Sequence, residues 1–324
     1  MNAIEQVVRA PCAAVEFTNI VLTTPDAPIG RSPSEVIWTH TGRTLYRYRS
    51  SAREHAIPVW LVFALINRPE IFDLRRGNSL VEFPLDEGFD VFLVDSGAPG
   101  DEDADMGLVE DVCDESHWAV RETLRSAGRE ELTLVVSCIG GTVGAMYCAL
   151  HPNGPVRDAI LLTTPIDPSD SLYARWLGGE ECNVDLIADS YPALPGSGIN
   201  WSNKLMKRVA NHLTTCRRLL MSVLGGEAVR VGYQAMAKWV ADNPPFASRA
   251  YREWVTWRYR RTVSSMADCG CVGSGSICGP SSGTCLSLPP APITSHRGKA
   301  PFLAAISSRG RTSLTSPGPE VKSG

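Results

Sequence analysis

The sequence predicts an α/β fold, a doubly wound and mostly parallel sheet carrying a helical cap. Three observations predict it. Four short apolar runs, each strand-sized, are separated by stretches with helical spacing. One of those runs ends at a cysteine followed by Ile139, Gly140 and Gly141 and a run of small residues. Beyond residue 165 the strand signal stops, and Trp176, Trp201, Trp239, Trp254 and Trp257 recur on helical patterns.

Residues 1–30 are mixed and Pro-containing and read as an N-terminal arm. The core, 31–165, opens with alternation over 35–48, an edge hairpin turning at Thr41-Gly42. Residues 58–66 (PVWLVFALI) are continuously apolar behind a Pro start, which suits a strand buried on both faces. A short helix over 79–87 leads to a second buried strand at 90–95 (DVFLVD). An acidic loop at 101–105 precedes helical spacing over 109–127. The third buried strand is 132–137 (LTLVVS), and after Cys138 the residues 142–150 form a helix. The fourth strand is 159–164 (AILLTT). Repeated βα units with short connections place such strands in parallel.

Residues 166–260 read as a helical cap inserted into the sheet, with breaks near Pro195-Gly196 and Pro244-Pro245. Residues 261–324 are rich in Gly, Ser, Pro and Cys and lose every period. That composition predicts an irregular, poorly packed tail, with the C-terminal core strands missing.

Composition narrows the function. A chain of 324 residues with 44% hydrophobic content supports a large core. A net charge of −4 gives no basic excess for phosphates, so nucleic acid is excluded as a partner. The longest apolar run is far short of the roughly 20 residues that span a bilayer, so no transmembrane helix is expected. Residues 1–9 lack a basic segment followed by an apolar one, which predicts a cytoplasmic chain with free thiols among its 10 cysteines. Cys269, Cys271, Cys278 and Cys285 crowd together without a C-x₂-C pair, so their spacing argues against a zinc site and no metal is expected.

Cys138 carries the chemistry. A strand, a cysteine, two nearby glycines and a helix form the context of a nucleophile elbow, where the reactive side chain stands on a sharp turn above the sheet. The helix that follows is expected to draw the thiol toward thiolate. The backbone N–H groups of Ile139 and Ile66 are the candidate oxyanion-hole donors. Cys148 has no such turn and reads as packing. Two residues before the nucleophile the elbow usually has Gly, whereas here Val136 is expected to strain it.

LTLVVSCIGGT, together with VFALINRPEIFDLRRGNSLVEFPLDEGFDVFLVD, ALHPNGPVRDAILLTTPID and AMAKWVADNPPF, resembles the polyhydroxyalkanoate synthases. The likeness is nearest to the class III and PhaC-like type, and it runs from about residue 34 to 260. Ser96 and Ser137 stand where similar proteins usually have Trp. The resemblance implies an α/β-hydrolase-type fold and acyl transfer from 3-hydroxyacyl-CoA to a growing polyester chain through a Cys138 thioester. It implies no cofactor, the CoA thioester being the substrate. It also implies work at the surface of a polymer granule, and it leaves a homodimer or a partner subunit open. Alternatives on the same fold are a thiol-type esterase or depolymerase and a non-catalytic, granule-associated pseudoenzyme.

The family's catalytic His and Asp lie in its C-terminal third, and neither is identifiable here. His40, His55, His117, His151 and His212 suit capping or surface roles, and no Gly-Gly-His turn surrounds His296. A shifted frame explains the gap. Back-translated and read from the third base of each codon, residues 262–296 permit Arg-Leu-Val-His-Gly-Arg-Leu-Arg-Leu-Arg-Gly, then Arg-Val-Asp-Leu-Arg-Ala-Ile, then Leu-Leu-Val-Val-Thr-Ala-Gly-Ala-Asp-His-Ile-Ala-Pro. The Asp of Asp-His-Ile-Ala-Pro, which overlays Pro292 and Ile293, is similar to the family's catalytic Asp. After His296 residues 302–315 again resemble the strand before the family's Pro-Gly-Gly-His, but Pro317-Gly318 is followed here by Pro319-Glu320. As written, the chain is therefore expected to be slow or inactive.

Overall fold

The computed structural model describes residues 15–260 apart from 16, 31, 109–114, 152, 166–170, 207 and 225, and beyond 260 only 276–278, 285–287 and 303–307. Thr41 and Gly42 both take positive φ, 45° and 75°, the mirror-image turn that a two-residue hairpin loop needs. That turn joins β1 (Glu35–His40) to β2 (Arg43–Tyr48) in antiparallel register. β3 is Val59–Val62, four residues that are all buried. The apolar run continues to Ile66, but residues 63–66 leave the sheet, so the strand is shorter than its hydrophobicity suggests. Apolar content marks burial, and the loop above the sheet is buried too.

Ser79 fixes the next element: its hydroxyl accepts from the backbone N–H groups of Val81 and Glu82 at 3.1 and 3.0 Å and starts α1 (Glu82–Asp86), shorter than expected. β4 (Val91–Asp95), α2 (Glu115–Ala127), β5 (Leu132–Ser137), α3 (Ile139–Leu150) and β6 (Val156–Leu162) follow. The sheet has seven strands, ordered β1-β2-β4-β3-β5-β6-β7, where β7 is Leu303–Ser307. β4, β3, β5 and β6 are parallel, whereas β2 joins β4 antiparallel. Crossovers between non-adjacent strands put helices on both faces, so this is the doubly wound α/β-hydrolase-type sheet that the sequence predicts.

Alternation assigns the two faces. Trp60, Val62, Phe92, Val94, Leu134 and Val136 point toward the cluster shared with Ala119, Val120 and Tyr147 on the helices. Val59, Leu61, Val91, Leu93 and Val135 point the other way, onto Phe72 and Val81. Each such buried Val or Leu stabilises the fold by roughly 1.5–3 kcal/mol. Asp90 is buried among them, and it is tolerated because Arg47 approaches to 2.8 Å and Arg53 to 3.6 Å.

The expectation from composition that the tail supplies no packed strand needs correction at one place, inside the 302–315 segment that resembles a strand of the family. β7 pairs antiparallel with β6, Leu303 opposite Leu162 and Ser307 opposite Asp158. An apolar run of this length satisfies the edge hydrogen bonds that β6 would otherwise expose. Ser276–Cys278 and Cys285–Ser287 form a separate antiparallel pair. Cys269, Cys271, Pro292, Ile293, His296 and Pro317-Gly318 lie outside the described residues.

The cap is helical. It comprises α4 (Leu172–Leu177), α5 (Val184–Asp189), α6 (Gly196–Met206), α7 (Arg208–Leu224), α8 (Glu227–Ala241) and α9 (Ser248–Val255), which continues into a π-turn at Thr256–Arg260. Ser171 and Asn183 cap α4 and α5 by accepting from Ala174 N–H and Leu186 N–H. Leu177, Val184, Phe246, Ala250, Trp254 and Val255 pack on Ile139 and Val143, so the cap sits over the end of β5. Among the described residues no helix is long and apolar enough to cross a membrane.

Candidate active site

Cys138 occupies the turn between β5 and α3 with φ 56° and ψ −131°. A non-glycine residue there carries strain on the order of 1–3 kcal/mol, which the surrounding structure must hold in place. Two backbone hydrogen bonds do so: Cys138 N–H donates to the Leu162 carbonyl at 3.1 Å, and Gly141 N–H donates to the Cys138 carbonyl at 3.0 Å. The neighbouring glycines are required by contact. A Cβ on Gly140 would lie 2.3 Å from the Phe63 carbonyl oxygen, and one on Gly141 would lie 1.8 Å from Thr164 Oγ1.

Val136 does not strain the elbow as expected. It is fully buried, and its Cγ1 would stand 2.9 Å from a Cβ on Gly144, one turn along α3. The bulk at one position is accepted by the missing side chain at the other. Gly144→Ala should therefore overpack the site and cost about 1–3 kcal/mol. Gly144→Ala with Val136→Ala should cost less than the two single changes added together, read from denaturant midpoints. Strict additivity would refute the pairing.

The thiol opens into a cavity of about 600 Å³ beneath the cap. Its walls are mostly apolar and aromatic, among them Tyr173, Trp176, Leu177, Ile187, Leu194, Trp201, Trp254 and Tyr259. Ile66 and Ile139, the residues of the two candidate oxyanion donors, line the same cavity as Cys138. The Ile139 N–H interacts with the Cys138 thiol and favours thiolate, but burial is the larger influence and pushes the thiol above its ordinary value. The expected lowering is thus overturned: desolvation outweighs the helix terminus. With the pKa raised, less thiolate is present at any given pH. Alkylation of Cys138 by iodoacetamide should still be accelerating above pH 9.0, the ordinary thiol value, and a rate already level below it would contradict this.

The described histidines stand elsewhere. His40 lies 3.7 Å from Glu115, and His55 stacks on Phe89. His117, His151 and Tyr147 stack in a row on the α2–α3 side of the sheet. His212 lies on α7. No histidine and no carboxylate lines the Cys138 cavity among the described residues, and no group of side chains there could hold a metal. Burial raises the Cys148 thiol to about 11.

The sequence does not single out Tyr173, Tyr259 and Thr163 as site residues. Burial raises both phenols, the Cys138 charge adds to that, and Trp254 and Asn203 hydrogen-bond to Tyr259 and Tyr173 respectively. Thr163, at φ 46°, lies 3.4 Å from Ser137 through its hydroxyl. The only signal in the sequence was aromatic enrichment of the cap.

Poly(3-hydroxyalkanoate) polymerase subunit PhaC of Synechocystis is 30% identical over 248 residues, covering 74% of this chain and 65% of that protein. The PhaC of Allochromatium vinosum is 28% identical and covers 70% of this chain and 64% of its own. That of Haloferax mediterranei is 28% identical and covers 74% and 49%. The chain thus spans between about half and just under two thirds of the length of these relatives. No family model matches the chain. Among solved structures, a putative lipase from Sulfolobus solfataricus is similar with a TM-score of 0.42 and 13% identity, covering 69% of this chain and 78% of that one. A probable hydrolytic enzyme from Pseudomonas aeruginosa has a TM-score of 0.39 and 12% identity, covering 70% and 65%.

Proposed function

We propose that this chain, a relative of the PhaC poly(3-hydroxyalkanoate) polymerase subunits, is an acyltransferase that moves 3-hydroxyacyl groups from CoA to a polyester through Cys138. The observation that carries the proposal is a cysteine held at positive φ between β5 and α3 and facing an apolar cavity of about 600 Å³.

The steps follow from that placement. Cys138 Sγ attacks the thioester carbonyl, its proton passes to the leaving CoA sulfur, and the acyl group becomes a Cys138 thioester. One thioester replaces another, so the step is nearly thermoneutral and the acyl group stays activated. The negative charge that develops on the carbonyl oxygen falls to the N–H groups of Ile139 and Ile66. The 3-hydroxyl of a second acyl group then attacks, an ester forms, and the thiol is returned.

Transfer is favoured over hydrolysis by the aromatic walls, which keep water from the thioester. An apolar product also suits the exposed rings of Trp176, Tyr191 and Trp201 at the same cavity. Action at a polymer granule belongs to the same proposal.

The buried thiol needs a base, and the written chain supplies none in the described site. We therefore place the catalytic Asp and His in the shifted frame of residues 262–296 and in the altered end near Pro317-Gly318. The direct test is mass spectrometry of Cys138 after exposure to 3-hydroxybutyryl-CoA, with CoA release followed in parallel.

A further inference from the structure

Two sequence motifs that the chemistry above does not use, Asn67-Arg68 and Asp242-Asn243, meet in the fold although Asn67 and Asn243 are 176 residues apart. Asn67 Nδ2 donates to Asn243 Oδ1 at 3.0 Å. Trp239 Nε1, near the end of α8, donates to the Arg68 carbonyl at 2.7 Å. The Arg68 guanidinium lies 3.5 Å from the Asp242 carboxylate. All three contacts grip the loop between β3 and the turn at Pro69–Asp73, which contains Ile66.

Apolar packing also holds that loop, with Ala64, Leu65 and Ile66 in the cap-side cluster and Phe63 against Phe72, but its own polar contacts are few. Its internal backbone hydrogen bond, Asn67 N–H to the Ala64 carbonyl, is 3.5 Å long. On the elbow side it rests on glycine, since the Phe63 carbonyl closes on Gly140. On the cap side the Trp239 ring stands 6.0 Å from that of Phe63. The Ile66 N–H makes no hydrogen bond to another described residue, and Ile66 lines the cavity. An oxyanion donor acts only when held within about 0.5 Å of its working position.

We infer that Trp239 and Asn243 are positioning residues that hold the Ile66 N–H in register with Cys138, so that the end of α8 sets the oxyanion hole. The inference rests on the functional proposal for the identity of the acyl donor, and on the geometry for the rest. It predicts a split between two reactions of the same thiol. Acylation builds charge on a carbonyl oxygen and needs the hole, whereas alkylation by iodoacetamide is a displacement that builds none.

The experiment uses the full chain and three probes: 3-hydroxybutyryl-CoA, p-nitrophenyl butyrate and iodoacetamide. Trp239→Phe keeps an aromatic ring, though a smaller one, and removes the donor, and Asn243→Leu removes the acceptor for Asn67. Both should be acylated about tenfold or more slowly by either acyl donor, with alkylation unchanged. Asn243→Asp retains an acceptor oxygen and should recover acylation. Acylation at the wild-type rate in Trp239→Phe and Asn243→Leu would overturn the inference. So would a parallel fall in alkylation, which would mean that the cap merely controls access to the thiol. If p-nitrophenyl butyrate shows the split while 3-hydroxybutyryl-CoA acylates no form, the positioning role stands and the CoA-thioester proposal fails. If neither donor acylates the wild type, both fall.

Discussion

Cys138→Ala should acquire no acyl group from 3-hydroxybutyryl-CoA, whereas the unaltered chain should acquire one, on Cys138. Among the described residues the cavity has no second thiol, and the hydroxyls of Thr163, Ser197 and Ser202 that line it are weak nucleophiles without a base. Cys148 lies on α3 with its thiol raised to about 11, and burial also raises the thiol of Cys182 and the phenols of Tyr173 and Tyr259. Loss of an attacking group removes the covalent route altogether, and comparable deletions cost on the order of 10⁶-fold in kcat. CoA release by the variant should fall to the background of the buffer. Because alanine tolerates positive φ no better than cysteine, the backbone should keep its shape, and the melting temperature should stay close to that of the parent. Acylation of Cys138→Ala at any other residue would sink the assignment of the nucleophile.

Reading residues 262–296 in the shifted frame, and restoring Gly-Gly-His after Pro317, should raise multiple turnover about 10²- to 10⁴-fold over the written chain, the usual worth of general-base assistance. The structure adds a reason beyond the family likeness. Burial pushes the Cys138 thiol up and so disfavours the thiolate, which makes a group that takes the proton more valuable, and the described cavity has neither histidine nor carboxylate. The written chain should therefore show at most one slow acylation, and the repaired chain a steady rate of CoA release. Repaired Cys138→Ala should show none. Steady turnover by the written chain equal to that of the repaired one would end the frame-shift proposal.

Much of the core was legible because its signals are local. LTLVVS followed by Cys138 and two glycines specifies a strand, a sharp turn and a helix, and β5 and α3 begin and end within a few residues of that expectation. The Thr41-Gly42 turn was legible for the same reason, since two residues at positive φ suffice to make it. The extent of β3 was not, because an apolar run does not say whether it is buried in a sheet or in the loop above one. β7 was legible only through the resemblance of residues 302–315 to a strand of the family, because a five-residue apolar stretch has no period of its own.

By itself the sequence determined the candidate nucleophile, its strand–turn–helix setting and the likeness to the polymerases, all of which depend on residues adjacent in the chain. Only the tertiary structure decided the state of the thiol. The Ile139 N–H at the start of the following helix favours thiolate, but burial of the sulfur in the folded chain outweighs it. The compatibility of Val136 with the elbow and the grip of Trp239 and Asn243 on the Ile66 loop are likewise contacts made only in the fold. They are set by volume and hydrogen-bond geometry between distant segments, and those quantities exist only once the chain has packed.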